Sequence, residues 1–196
     1  MSPPSRVVVM GATLEEPPPG IGVIADSVEL VFADTEESMG DGLVGSDVIL
    51  AWRPRSGLLQ PVWHRAGAVK WIQSASAGVD RLLFPELVDS HVVVTNARGV
   101  FDQAIAEYVL TLVLAFAKGM PGVLDRQGRG EWKPRDTEGL ADKRVLVVGM
   151  GPIGRAIGVA CQGLGMTVRG VATTSRRRDD VFRVVYGADE LLDALS

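Results

Sequence analysis

The sequence predicts an α/β protein with two successive parallel sheets, and two observations support this class. Through the first hundred residues, short apolar strands alternate with helical or irregular links, which is typical of a parallel sheet covered on both faces. Later, the apolar run 145–148 leads directly into a G-x-G-x-x-G pattern, and a helical pattern follows at once. That context is typical of a dinucleotide-binding turn. We therefore expect a flavodoxin-like domain over residues 1–99 and a Rossmann domain over residues 100–196.

Five strands are predicted in the first domain. Each is a short run of mostly apolar, β-branched residues, and together they cover residues 6–10, 28–32, 47–52, 69–73 and 92–95. The proline-rich turn 15–20 is too short to separate two domains, so we place it inside this one.

A long apolar helix is predicted over residues 103–118, with Asp102 as its N-cap. Its most apolar part, 105–117, contains Glu107 and is well under the ~20 residues of a bilayer span, so we expect a buried or subunit-facing helix. The following segment, 119–140, is rich in Gly, Arg, Trp and Pro and has neither regular period. We expect it to form an arm or extended loop.

The nucleotide-binding unit is expected to begin at Lys143. Its glycines have separate physical roles: Gly149 permits the tight reversal, Gly151 permits close approach of a pyrophosphate, and Gly154 permits close helix packing. Pro152 suits the first helical position, where its missing amide hydrogen costs nothing. The helix N-terminus favours an anion. The predicted cofactor contacts in this turn are Gly149, Gly151, Pro152, Ile153 and Gly154.

The strand after this helix indicates which dinucleotide is preferred. The helix is expected to stop at Gly165, and a second strand covers residues 166–172. Sites that prefer NAD place an acidic residue at the end of this strand, but residues 172–174 are Ala, Thr and Thr. Three arginines follow at 176–178 and match a phosphate. We therefore favour NADP(H) over NAD(H), with contacts from Thr173, Ser175, Arg176 and Arg177.

An alternative interpretation of the arginine run is a solvated loop whose charge is partly neutralised by Asp179 and Asp180.

The net charge of the chain is −4, which gives no indication of nucleic-acid or anionic-membrane partners. The single cysteine, Cys161, fits a reducing compartment, and the first residues carry no apolar signal core, so a cytoplasmic protein is expected. No motif with metal-ligand spacing occurs, so no metal is expected.

Three motifs in this order resemble the D-isomer-specific 2-hydroxyacid dehydrogenase family, over roughly residues 45–190. The first is Ser76-Ala77-Gly78-Val79-Asp80, directly after the fourth strand. The second is Thr95-Asn96-Ala97-Arg98-Gly99, which leads into Ala104-Ile105-Ala106-Glu107. The third is the glycine turn at Gly149.

The resemblance implies an oxidoreductase that transfers a hydride between NAD(P)H and a small 2-oxo or 2-hydroxy acid. It implies that the amides of Ala77 and Gly78 bind the substrate carboxylate, that Asn96 lines the interdomain hinge beside the substrate, and that Ile105 lies near the nicotinamide. Arg53 could touch a substrate side group; the alternative is a solvated arginine. The loop 76–80 alone could also be a plain strand-to-helix turn. The apolar helix and the arm resemble the family's dimerisation surface, so a homodimer is expected.

The resemblance also implies a catalytic arginine, carboxylate and histidine on later Rossmann strands and loops, beyond residue 196. Neither His64 nor His91 matches the family's acid/base, and both are expected to be structural or surface residues. We therefore assign no catalytic residue and expect these 196 residues alone to be inactive. The alternative function is a catalytically silent dinucleotide-sensing or corepressor-like protein of the same fold.

Overall fold

The computed structural model describes residues 5–175 and 179–195. It divides into two units, Met1–Arg98 and Gly99–Ser196. The sequence predicted the boundary between the two domains after residue 99, one residue later than the observed boundary.

The first unit is built on five parallel strands. They are β1 Arg6–Met10, β2 Glu29–Ala33, β3 Val48–Ala51, β4 Trp71–Ser74 and β5 Val93–Thr95. Every predicted strand overlaps an observed one within two residues at each end. The strand order is β2-β1-β3-β4-β5, the order found in flavodoxin-like sheets. Crossovers of this kind bring the carboxyl ends of all five strands to one edge of the sheet, where open α/β sheets bind ligands.

Short helices connect these strands. They are α1 Gly22–Ala25, α2 Glu36–Leu43, α3 Ser56–Leu59, a 3₁₀ helix Gln60–Arg65, and α4 Pro85–Val88. Helix α2 begins in a capping box, because the Thr35 and Ser38 side chains each accept a hydrogen bond from the other's amide.

The core of the first unit runs through the middle of its sheet. Val8, Ile49 and Ile72 are neighbours in the register of β1, β3 and β4, and all three are fully buried. We expected both faces of the sheet to be covered by helices, but the edge strand β5 is not covered on both faces, because Val93 is 59% exposed. A strand that pairs with one neighbour only is less well covered than a central strand.

The second unit contains three parallel strands in the order β6-β7-β8. Its elements are α5 Asp102–Ala117, α6 Met120–Gly128, β6 Arg144–Val148, α7 Pro152–Gly163, β7 Thr167–Val171, β8 Val185–Tyr186, a 3₁₀ helix Ala188–Glu190, and α8 Leu191–Ala194. The order matches the first half of a Rossmann sheet, which confirms the prediction for this unit. Phe182, Val168 and Cys161 form its buried centre, and burial raises the pKa of the Cys161 thiol.

Two predictions for the second unit are wrong. Asp102 is not the N-cap of α5 but its first helical residue, since Phe101 occupies the cap position and makes no side-chain cap bond. The arm expected over residues 119–140 contains α6, which begins after left-handed Gly119. Gly122 and Gly128 weaken the helical pattern in the sequence, whereas residues 131–140 do lack regular structure.

Among the described residues, no single helix is long and apolar enough to cross a membrane. Helices α5 and α6 meet that test by length and composition only as a pair, with a 68° bend between them.

Candidate functional site

The glycine turn between β6 and α7 has the geometry of an anion-binding strand-to-helix turn. Gly149 has φ +98°, a conformation that L side chains rarely adopt, and its amide donates to the Val171 carbonyl at 3.0 Å. Gly151 is the N-cap of α7, and Pro152 occupies the first turn. The reversal is therefore tied to the neighbouring strand β7 before any ligand arrives.

The other two glycines differ in the space around them. A Cβ on Gly154 would overlap the carbonyl oxygen of Gly149 and would lie 3.3 Å from Val147 Cγ1. A Cβ on Gly151 would meet no atom within 4 Å. Gly154 is therefore required for the fold of the turn, whereas Gly151 leaves open space at the helix N-terminus, a position that favours an anion. Ile153 follows in the first turn of α7 and is partly buried.

The remaining predicted cofactor residues lie on two other elements. Thr173 and Ser175 follow β7 and are exposed, whereas Ile105 is partly buried in the first turn of α5. Arg176 and Arg177 lie outside the described residues.

Sequence reasoning missed Arg155, which follows the last glycine of the turn. Its guanidinium binds both carboxylate oxygens of Asp179, at 3.0 and 3.1 Å, and also contacts the carboxylate of Asp180. These ion pairs, led by that with Asp180, raise the pKa of Arg155. The pairs join the first turn of α7 to the chain that follows β7. No local signal predicts them, because the partners are 24 and 25 residues apart.

Asp179 is also held by the backbone. Its side chain is 6% exposed and accepts hydrogen bonds from the amides of Val181 and Phe182. Burial raises the pKa of this carboxyl. Hydrogen bonds from the Val181 amide, Arg155 and the Phe182 amide outweigh this effect and lower the pKa to about 2. Asp179 is therefore ionised at neutral pH, and part of its charge is compensated by Arg155.

In the first unit, the loop after β4 has its carbonyl groups fixed by side chains. Asn96 Nδ2 donates to the Ala77 carbonyl at 2.5 Å, and the Ser76 hydroxyl donates to the Gly78 carbonyl at 2.6 Å. The amides of Ala77 and Gly78 have no hydrogen-bond acceptor among the residues that the structure describes. Asn96 therefore positions this loop, and two unpaired backbone donors are left for an anion.

The same loop borders a cavity of about 760 Å³ at the carboxyl ends of β3 and β4. Its lining residues are Arg53, Pro54, Arg55, Ser56, Gly57, Ser76, Gly78, Asp80 and Arg81. The structure thus brings the predicted residues Arg53 and Gly78 to one cavity. Gly78 is not in the left-handed region, so strain from positive φ does not apply there.

The backbone holds Arg53 in place at this cavity. Its amide donates to the Met10 carbonyl at 3.3 Å, and a Cβ on Gly11 would lie 2.7 Å from Arg53 Cβ. Gly11 has φ +77°, so a glycine is needed there for both conformation and space.

Neither histidine lines the cavity at the carboxyl ends of β3 and β4. His64 is in the 3₁₀ helix Gln60–Arg65, His91 precedes β5, and both are exposed. Within the described part of the chain, no group of three or more His, Cys, Asp or Glu residues could hold a metal ion.

The chain is similar to proteins of one family. Residues 110–196 match the family described as D-isomer specific 2-hydroxyacid dehydrogenase, NAD binding domain. The D-3-phosphoglycerate dehydrogenase of Methanocaldococcus jannaschii is 28% identical over 145 residues, which cover 73% of this chain and 28% of that protein. The glyoxylate reductase of Thermococcus litoralis is 30% identical over 114 residues, which cover 54% of this chain and 34% of that protein.

A solved structure shares the fold along nearly the whole chain. It is D-lactate dehydrogenase from Aquifex aeolicus complexed with NAD and lactic acid, with a TM-score of 0.77 at 19% identity. The match covers 95% of this chain and 57% of that one. This chain spans about a third of the length of the two relatives named above. The family match is thus confined to residues 110–196, whereas the fold shared with the solved structure extends over nearly the whole chain.

Proposed function

We propose that this chain binds a nicotinamide dinucleotide at the turn Gly149 to Gly154 and serves hydride transfer to or from a 2-oxo or 2-hydroxy acid. The observation on which the proposal rests is the difference in space around Gly151 and Gly154 in that turn. Gly154 has no room for a side chain, whereas Gly151 faces open space at the N-terminus of a twelve-residue helix. The relatives named dehydrogenase and reductase support the reaction class.

The residues at the turn fit the phosphate part of such a cofactor. The unpaired amides of the first turn of α7 and the helix dipole stabilise negative charge. A bound nicotinamide supplies the hydride donor or acceptor. The first unit contributes the carboxylate site, where the amides of Ala77 and Gly78 donate hydrogen bonds to the acid and Asn96 holds their loop in place. Free amide donors bind a carboxylate through charge-assisted hydrogen bonds.

NADP(H) is the proposed cofactor form. Strand β7 ends at Val171, and the residues at 172–174 carry no carboxylate that would bind a ribose 2′-hydroxyl or repel a 2′-phosphate. Thr173 is exposed at this position. The nearest carboxylates along the chain, Asp179 and Asp180, both contact Arg155, which compensates part of their negative charge.

Titration of the chain with NADPH and NADH tests both statements. We expect NADPH to bind at least about tenfold more tightly, about 1.4 kcal/mol. Changing Arg176 and Arg177 to Ala should remove most of the preference and leave NADH affinity nearly unchanged. Arg183→Ala, at an exposed arginine of the same unit, is the matched control for charge. Equal affinities in the parent chain would refute the preference, and no binding of either cofactor would refute the dinucleotide site.

A homodimer is proposed from the exposed face of α5. Tyr108, Leu112 and Phe116 follow each other at a spacing of four residues and are 66%, 42% and 74% exposed. Large apolar side chains that share one helix face favour a protein partner over solvent. Sedimentation analysis should show a dimer that Phe116→Glu dissociates. A monomer at all concentrations of the parent chain would contradict this proposal.

A further inference from the structure

The cavity at the carboxyl ends of β3 and β4 contains an excess of positive charge. Arg53, Arg55 and Arg81 line it together with a single carboxylate, Asp80. None of the three arginines forms an ion pair with another residue in the described part of the chain, whereas Arg6 in the same unit pairs with Glu29. Three unpaired cations around one concave surface leave a site that an anion would neutralise.

The backbone holds the walls of this cavity together. The Ser56 amide donates to the Arg81 carbonyl at 2.7 Å, which joins the segment after β3 to the loop after β4. The packing of Gly11 against Arg53 fixes the other end of the same segment. The backbone of the segments that carry the three arginines is thus held by the fold, although all three residues are exposed.

The cavity reaches the proposed carboxylate site. Ser76 and Gly78 belong to the loop whose free amides are assigned to the acid's carboxylate, and both residues also line the cavity. A volume of about 760 Å³ lies within the ~300–1,000 Å³ that is usual for small-molecule sites. An acid held by that loop would therefore extend its other end toward the arginines.

We propose that the substrate is a 2-oxo or 2-hydroxy acid that carries a second anionic group, a carboxylate or a phosphate-like group, bound by Arg53, Arg55 and Arg81. This inference rests on the proposed function, because it assumes that the loop 76–80 binds the first carboxylate. Arginine recognises both kinds of anion bidentately, so the shared chemistry is a compact oxyanion.

Asp80 limits how much negative charge the cavity accepts. Its carboxylate lies close to Gly78, since a Cβ on that glycine would be 3.3 Å from Asp80 Oδ2. A like charge so near the carboxylate site weakens binding of every acid. Asp80→Asn should therefore tighten the binding of both monoanionic and dianionic acids.

The test compares matched acids that bind to the chain saturated with dinucleotide, by calorimetry at low ionic strength. One pair is D-malate and D-lactate, and the other is 2-hydroxy-4-phosphonobutyrate and 2-hydroxybutyrate. We expect at least one dianion to bind about tenfold or more tightly than its monoanionic partner. The pair with the larger ratio shows whether the second group is a carboxylate or a phosphate-like group. Arg55→Gln and Arg81→Gln should each lower that ratio to less than about threefold.

Arg183→Gln is the control for the loss of one positive charge, because Arg183 is exposed in the second unit. It should leave the ratio as in the parent chain, and thermal melts should show all variants folded. Equal affinities for dianion and monoanion, with D-lactate still bound, would overturn this inference and leave the proposed function standing. If no acid binds although the dinucleotide does, the acid site of the proposed function is wrong and this inference fails with it.

Discussion

Replacing Gly154 by Ala should destabilise the second unit although it adds only one methyl group. The new Cβ would overlap the Gly149 carbonyl oxygen and would lie 3.0 Å from the Gly149 carbonyl carbon. Both are backbone atoms, so no side-chain rotation relieves the contact, and either the turn or α7 must move. Overpacking of this kind costs about 3 kcal/mol. The better helix propensity of Ala returns up to about 1 kcal/mol, so the net loss is about 2 kcal/mol.

Chemical and thermal denaturation followed by circular dichroism measure this effect. For a chain of this length, a loss of about 2 kcal/mol lowers the melting temperature by roughly 4–8 °C. Gly163→Ala is the matched control, because Gly163 is in the same helix and a Cβ there would meet nothing within 4 Å. The control should be neutral or stabilising by up to about 1 kcal/mol. The reasoning would be refuted if Gly154→Ala were as stable as the parent, or if both variants lost equal stability.

Three further predictions follow from the two sites. Asp179→Asn should cost about 1 kcal/mol above pH 4, after allowance for solvent screening of Arg155. Because the folded pKa of Asp179 lies near 2, below its unfolded value, the difference in melting temperature from the parent should disappear as pH falls toward 2, and a constant difference would contradict the assignment. Asn96→Ala removes the hydrogen bond to the Ala77 carbonyl, so it should weaken acid binding several-fold, a loss of about 1 kcal/mol in binding free energy. Unchanged acid affinity would show that the loop keeps its conformation without Asn96. Gly78→Val should raise the dissociation constant of the acid about tenfold while dinucleotide affinity stays within a factor of about two, and an unaltered acid affinity would make the loop a plain turn.

The sequence predicted those parts of the fold that depend on local patterns. All strands except β8 were predicted within two residues at each end, since short apolar runs bounded by turn residues are local signals. Helix α6 was missed because Gly122 and Gly128 interrupt its period, and β8 was missed because it contains only two residues. Asp102 was misplaced by one position, which is the usual uncertainty of a helix boundary.

The candidate sites divide in the same way. The glycine turn can be recognised in the sequence because its glycines have a fixed local spacing between an apolar strand and a helix. The pairing of Arg155 with Asp179 is not visible, because it depends on how α7 and the chain after β7 pack together. The arginine cavity was only partly visible: Arg53 was considered, whereas Arg55 and Arg81 join it through the pairing of β3 with β4, which no sequence period encodes.

The most direct test of the central claim is dinucleotide binding by the parent chain and by Gly151→Val, measured by calorimetry. A Cβ on Gly151 meets no protein atom within 4 Å, and the residue has an ordinary φ of −68°, so the variant should melt like the parent. It should nevertheless bind NADPH at least about tenfold more weakly, because its side chain fills the space assigned to the pyrophosphate. Gly163→Val, at the exposed end of the same helix, should keep the parent's affinity. Equal NADPH affinity in Gly151→Val and the parent would show that the turn Gly149 to Gly154 is not the dinucleotide site.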